Sequence, residues 1–333
     1  MRAALITALG PLGCSAILTC GAPGVRNPTI THLRSTPIQE EQKSPQSRIE
    51  AEAAHEEILW EGESSGYKVR WTTLDLYSET SRTKEAIWKP FIENEFENFR
   101  QVYISSGKRS ERKIEDCTYE RDLRVLSVVG SLVSFQDEYA DFCGGAHPTA
   151  DFRFTTIDLA KPGSLAYARE DSTPMMNIDL QNPPPKAVKL TDYFSDQDLP
   201  NALLDDKLIR ATLLALGSSS PPKTLAELSE LLAKVGYLLG DSGFQLSPDF
   251  ITRFSFHHLE GKRVAIRISL SPASTATQSA HQQLGLLLSI PASLSVQLPL
   301  AEGRQQGFLM SYAERALKEK TTTFTYSKIV GGQ

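Results

Sequence analysis

The stretch that most narrows the folds open to this chain is the dipeptide Gly130–Ser131, set between two long runs of strand character, Asp116–Val129 and Leu132–Phe142. Two such runs separated by two residues, one of them glycine, read as a β-hairpin, because glycine-type turns match the twist of the flanking strands. A two-residue turn also fixes the register. Val129 then faces Leu132, Val128 faces Val133 and, carried to the ends of the arms, Cys117 faces Gly144. The second arm runs into Tyr139-Ala-Asp-Phe-Cys-Gly-Gly-Ala-His-Pro148. Gly144 and Gly145 remove two consecutive Cβ atoms at a strand end, which permits positive φ or close approach by another backbone, and Pro148 biases His147 toward extended geometry. Gly144, Gly145 and Pro148 are therefore expected to be a structural motif before any chemistry.

Phe152–Leu159 alternates again and is expected to return as a third antiparallel strand. Upstream, folding is expected to begin near Ile58, with Tyr67–Tyr77 as one strand. Thr83–Phe99 then reads as a helix that turns Ile87, Phe91, Phe96 and Phe99 inward, with Pro90 in its first turn or at a kink. Residues Ala160–Lys186 hold five prolines, including Pro183–Pro185, and read as an inserted surface loop. Asp198–Leu216 then has helical spacing at Leu199, Leu203, Leu208, Ile209 and Leu213 before Gly217 stops it. Thr224-Leu-Ala-Glu227 is a capping box opening a second helix that ends at Gly240. Phe244–Phe256, Arg263–Leu270, Leu284–Ile290 and Ser295–Leu300 read as antiparallel strands, with a low-complexity loop at Ser271–Gln283, and a helix at about Phe308–Lys318 closes the domain. The expected class is α+β, antiparallel sheets with packed helices. The domain covers 58–320, with room for two subdomains at 58–159 and 187–320, and 321–333 is expected to be a tail.

Composition is ordinary for a globular protein, 333 residues with 40% hydrophobic and 23% charged. A net charge of -5 and a pI near 5.8 argue against a nucleic-acid partner, since the densest basic run, Lys108–Lys113, is interrupted by Glu111. At the N-terminus, Met1-Arg2 precedes an uncharged run, Ala3–Cys20, broken by Gly10-Pro11 and Gly13. A short basic region followed by an apolar one reads as an export signal; a permanent span would need about 18–20 apolar residues without a central proline. Residues 21–57 are polar, bury too little to offset their ordering entropy, and read as a disordered linker. The first 20 residues also resemble a bacterial lipoprotein signal, which implies lipid attachment at Cys20 and a protein tethered to the membrane. Ile17-Leu18-Thr19 departs from the usual Leu followed by two small residues. Cys14, after Gly13, is the other candidate, with a shorter apolar region.

The order of Leu132-Val-Ser-Phe135, Gly144-Gly-Ala-His-Pro148, Ile157-Asp-Leu159 and Val188-Lys-Leu-Thr-Asp-Tyr-Phe194 is similar to one bacterial extracytoplasmic domain. It is the domain shared by RsiV-type anti-sigma factors, which sense lysozyme, and by the non-catalytic part of PdaC-type peptidoglycan deacetylases. The likeness covers about Tyr67–Leu309, with Ser295–Leu300 as its final strand. It departs at the insert before Val188 and at Phe254–Leu259, where the family has a tyrosine-containing run. The resemblance implies an exported cell-envelope module on the periplasmic or extracellular face of a bacterial membrane. Such a module binds or senses peptidoglycan, a glycan or a lysozyme-like protein. The family's deacetylase domain and sigma-binding segment are not expected in this chain.

Catalytic motifs are sparse: the sequence has no Gly-x-Ser-x-Gly, P-loop, His-Glu-x-x-His, Cys-x-x-Cys or Rossmann glycine pattern. The candidate binding residues are His147, Asp141, Asp151 and Tyr139 around the glycine run. His147 with either aspartate could ligate a metal or serve as a base, joined by His257, His258 and Glu260 only if folding gathers them. That is the alternative, a metal-dependent or His-assisted hydrolase of cell-wall material. A lone histidine after two glycines is more often a satisfied structural residue, so no cofactor or metal is expected.

Cys117 and Cys143 are the two cysteines beyond the signal. The hairpin register leaves Cys143 one residue from facing Cys117, and a single bulge near the glycines would bring the sulfurs together in an oxidising compartment. Two buried free thiols are the alternative.

Overall fold

The computed structural model describes residues 55–107, 118–142, 148–163, 165, 186–207, 209–211, 221–233, 244–246, 248–272 and 281–327. These lie in one unit spanning Glu52–Gln333. The export signal with Cys14 and Cys20, nearly all of the linker, Cys117, and Cys143–His147 with both glycines fall outside the described residues.

The first strands, β1 (Ile58–Ser64) and β2 (Tyr67–Thr72), are joined by Ser65-Gly66, both at positive φ, the geometry that closes a two-residue hairpin. The single strand expected over Tyr67–Tyr77 is two, because Thr72 Oγ1 accepts the amides of Leu74 and Asp75 at 3.1 and 3.0 Å. That local turn replaces ladder bonds and starts β3 (Leu76–Glu79). With β4 (Lys84–Ala86) these form a sheet of order β1-β2-β3-β4. Helix α1 (Trp88–Gly107) follows, with Pro90 in its first turn. Its free N-terminal amides are capped from a distance: Asp75 Oδ1 accepts Trp88 N–H at 2.8 Å and Lys89 N–H at 3.2 Å.

The hairpin forms as expected, from β5 (Thr118–Val129) and β6 (Leu132–Phe142) around Gly130-Ser131, and β7 (Thr149–Asp158) pairs with β6. Near the turn the register also matches, with Val129 opposite Leu132 and Ser127 opposite Ser134. Leu126 is then bulged. From Val125 opposite Phe135 down to Thr118 opposite Phe142, every pair is displaced by one residue. The bulge therefore sits near the turn and not near the glycines. It reverses the alternation of β5: Val128 and Val125 lie on one face, and Leu123, Arg121 and Tyr119 follow Val125 on that face.

Beyond β7 lie a 3-10 turn (Leu190–Asp192) and α2 (Asp198–Asp205). The helix expected to continue to Leu216 breaks at Asp206, which is extended and whose Oδ1 accepts the Ile209 amide at 3.2 Å, restarting the helical run. In α3 (Leu225–Ala233), Thr224 Oγ1 accepts Glu227 N–H, while Glu227 reaches back to Lys223 N–H, a capping box shifted by one residue. The strand expected over Phe244–Phe256 is interrupted by a 3-10 turn at Pro248–Thr252, since proline cannot donate to a ladder. It leaves β8 (Phe244–Gln245) and β9 (Phe254–Glu260). β10 (Arg263–Ser269), β11 (Ser271–Pro272) and β12 (Gln283–Ser289) follow, in sheets β12-β10-β9 and β11-β8.

Ser295–Leu300 is not a strand. A 3-10 turn at Ala292–Leu294 leads into α4 (Gln297–Glu302), which buries Leu298 and Ala301 at helical spacing and places Pro299 in its first turn, where no amide is needed. Then come α5 (Met310–Ala316) and β13 (Thr322–Ser327). Residues expected to form a tail thus supply a strand of the central sheet, whose order is β13-β5-β6-β7. Trp71 Nε1 donates to Thr322 Oγ1 at 2.9 Å, joining this strand to the first sheet.

Two large apolar clusters result. One packs Trp88, Phe91, Ile92 and Phe99 of α1 on Leu123, Val125, Phe135 and Ile157 of the central sheet. The other lies among α2 and β9, β10 and β12, with Leu203, Phe254, Ile266 and Leu286 at its centre. Hydroxyls join the sheets, Thr156 Oγ1 donating to Phe254 O at 2.5 Å and Ser269 Oγ accepting Phe154 N–H at 2.8 Å.

Candidate functional site

Because of the bulge at Leu126, β5, β6 and β7 present one chemical row toward α1. Arg121 stands opposite Tyr139, which stands opposite Asp151; one step along, Asp137 stands opposite Arg153. Helix α1 lays Phe91, Glu95 and Phe99 over them. Between helix and sheet lies a cavity of about 200 Å³ lined by Glu95, Phe99, Tyr119, Arg121, Asp137, Tyr139, Asp151 and Arg153.

Its floor is an ion cluster. Arg121 donates through Nε and Nη2 to the two oxygens of Asp137, both at 2.9 Å, and through Nη1 to Tyr119 Oη at 3.0 Å. Its guanidinium lies within cation–π range of two rings, 4.9 Å from the Phe91 centroid and 5.6 Å from that of Tyr139. Arg153 donates to Asp137 Oδ2 from Nε and Nη2 at 3.1 Å. Burial alone would push the Asp137 carboxyl up, but Arg121 and Arg153 outweigh it and hold the group below the ordinary carboxylate range. Burial pushes the Tyr119 phenol up to about 12, so it stays neutral. The side chains of Arg121 and Asp137 are 5% and 1% exposed, whereas those of Arg153 and Asp151 are 24% and 38% exposed and form the rim. Asp151 is held there by Arg253 Nη2 at 3.1 Å. Arg253 Nε also lies 3.3 Å from Asp249 Oδ2, though off the angle a hydrogen bond needs.

Of the residues expected from sequence, Tyr139 and Asp151 line this cavity. Asp141 does not, but lies two residues farther along the same face of β6, buried and pushed up to about 6 by desolvation against a weaker hydrogen bond with Thr149. Pro148 is exposed just before β7. His257 and His258 are elsewhere. His257 is the extra residue of a bulge in β9, which sets its Nδ1 2.6 Å from that of His258, and its Nε2 lies 3.0 Å from Glu314 Oε2. Glu260 pairs with Arg263. Among the described residues no three His, Cys, Asp or Glu side chains are placed to hold a metal, and no helix is long and apolar enough to cross a membrane. Glu95, Phe99, Tyr119, Arg121, Asp137 and Arg153 were not marked by sequence.

A larger opening, of about 350 Å³, lies between β1 and the turn before α5, lined by Trp60, Glu63, Arg304 and Tyr312 among others. Glu63 and Arg304 are exposed there, so it lacks the buried, mutually oriented charges of the smaller cavity. Scans of protein-family models and of curated proteins find no match to this chain.

Proposed function

We propose that this protein is an exported, membrane-tethered binding module of the bacterial cell envelope that receives a saccharide ring, from peptidoglycan or another glycan, between α1 and the β5–β6–β7 face. The observation that carries the reading is the union of aromatic walls, Phe99, Tyr119 and Tyr139, with polar groups already oriented by the Arg121–Asp137–Arg153 cluster. Saccharides combine an apolar ring face with a rim of hydroxyls, and preorganised polar groups beside aromatic faces recognise both. Asp137 is held by two guanidiniums and is poorly suited to nucleophilic or proton-transfer work, which favours binding over hydrolysis. The cavity is smaller than the roughly 300–1,000 Å³ typical for drug-sized ligands and suits one ring.

At roughly 0.3 kcal/mol for each of about a dozen non-hydrogen atoms, one ring gives a Kd of about 2 mM. A tethered module facing a polymer gains avidity over that value. The Ala3–Cys20 run and the polar residues after it supply the export and tether of the proposal, and the likeness to the RsiV and PdaC extracytoplasmic domain points to the same compartment. Cosedimentation with insoluble peptidoglycan tests the reading, alongside a lysozyme pull-down. Binding that is lost in Tyr139→Ala at unchanged melting temperature is expected. Retention by lysozyme with none by peptidoglycan would replace the glycan with a protein partner.

A further inference from the structure

We infer that the cavity selects saccharides carrying a free amine, with Glu95 as the anchoring carboxylate; this rests on the saccharide reading above. Three carboxylates, Glu95, Asp137 and Asp151, line the cavity against two guanidiniums, Arg121 and Arg153. Arg253, which binds Asp151 from beside the cavity, is itself faced by Asp249. Among the described residues of this group, one negative charge is in excess.

Hydrogen bonding places that charge on Glu95. Asp137 takes both guanidiniums, and Asp151 takes Arg253 together with the Phe152 amide. Glu95 has no hydrogen bond among the described residues. Its nearest cation is Arg121 Nη1, 4.0 Å from Oε2 and committed to Tyr119. Yet Glu95 is only 8% exposed. The carboxylate is largely desolvated and has no protein hydrogen-bond donor among the described residues, so a donor that arrives with a ligand would replace the little water left to it. An ammonium brings three donors and a charge, and the faces of nearby aromatic rings favour it further. An N-acetyl group in the same place brings one neutral donor. Glu95 is also fixed in space, since α1 is capped by Asp75 and packed on the sheet.

The test is calorimetric titration of the full-length protein near pH 6, where amines are protonated. The probes are a glucosamine tetrasaccharide, its fully N-acetylated counterpart and a short lysyl peptide. The glucosamine oligomer is expected to bind about tenfold more tightly than the acetylated one, the difference between a charge-assisted and a neutral hydrogen bond. In Glu95→Gln, which keeps the shape of the side chain, that ratio should fall to about twofold or less. Equal affinity for the two oligomers, or a preference that survives Glu95→Gln, overturns the inference and leaves the saccharide reading intact. If neither oligomer binds, the saccharide reading fails and this inference with it. A lysyl peptide bound more tightly than either sugar, and lost in Glu95→Gln, would keep the ammonium and overturn the sugar.

Discussion

Thr118 stands opposite Phe142 at the last described pair of the β5–β6 ladder. Carried one step past the described residues, the same register would set Cys117 opposite Cys143. The displacement that the disulfide required is present, made at Leu126 instead of beside the glycines. A Cys117–Cys143 disulfide is therefore predicted in exported protein, contributing about 3.5 kcal/mol on the chain-entropy scale. Mass spectrometry of alkylated, unreduced protein checks it, and two alkylated thiols would count against the bond.

Removing Asp137 should be the most damaging change at the cavity floor. Asp137→Ala leaves Arg121 buried without its carboxylate and is expected to cost about 3–5 kcal/mol in urea denaturation at neutral pH. The folded carboxyl titrates below its ordinary value. Its contribution is thus present above the unfolded pKa and lost as pH falls through the folded one. The gap between wild type and variant should close in acid.

Asp141 has the opposite sign. Its folded pKa is raised from 3.8 to about 6, so the stability linked to its protonation is complete below the lower value and lost as pH rises through the upper. Asp141→Asn should raise the melting temperature at pH 7.5 and change it little at pH 4. An equal shift at both values would show that Asp141 does not titrate in this window.

Gly307 has φ near +78°, and a Cβ there would lie 2.1 Å from Val128 O. The two backbone hydrogen bonds between Val128 and Phe308 depend on that approach. Gly307→Ala is predicted to lose at least about 3 kcal/mol, strain and broken bonds together. Gly66 has a similar φ with open space around it, so Gly66→Ala should cost only about 1–2 kcal/mol. Similar losses at both sites in urea titrations would remove the role assigned to close approach.

Much of the fold was legible because it rests on period and turn chemistry. The Gly130-Ser131 hairpin, β7, β10 and β12 announce themselves locally, whereas the helix expected from Thr83 begins only at Trp88, after the strand Lys84–Ala86. The departures fall where a side chain competes with the backbone, Thr72 splitting a strand and Asp206 breaking a helix, or where burial overrides alternation, as with Leu298 and Ala301 in α4. The candidate site was half legible. Tyr139 and Asp151 follow from the third strand. Arg121 and Asp137 do not, because without the bulge Tyr139 would face Asp122 and Asp137 would face Arg124, and Arg121 would point away from α1. Nothing local marks Leu126 as the residue that reverses this. Glu95, one charged position among the apolar ones of α1, was the available signal for a polar group facing the core.

The bond from Trp71 to Thr322 spans 251 positions, and it makes the last strand a test of length. A chain cut before Thr322, by a protease or by premature termination, strands a buried indole N–H and leaves Thr118–Leu123 of β5 with one bare edge. Bare edges recruit other strands. Such a fragment would be prone to aggregate with its own kind, and intact chains escape that fate only by keeping their final residues.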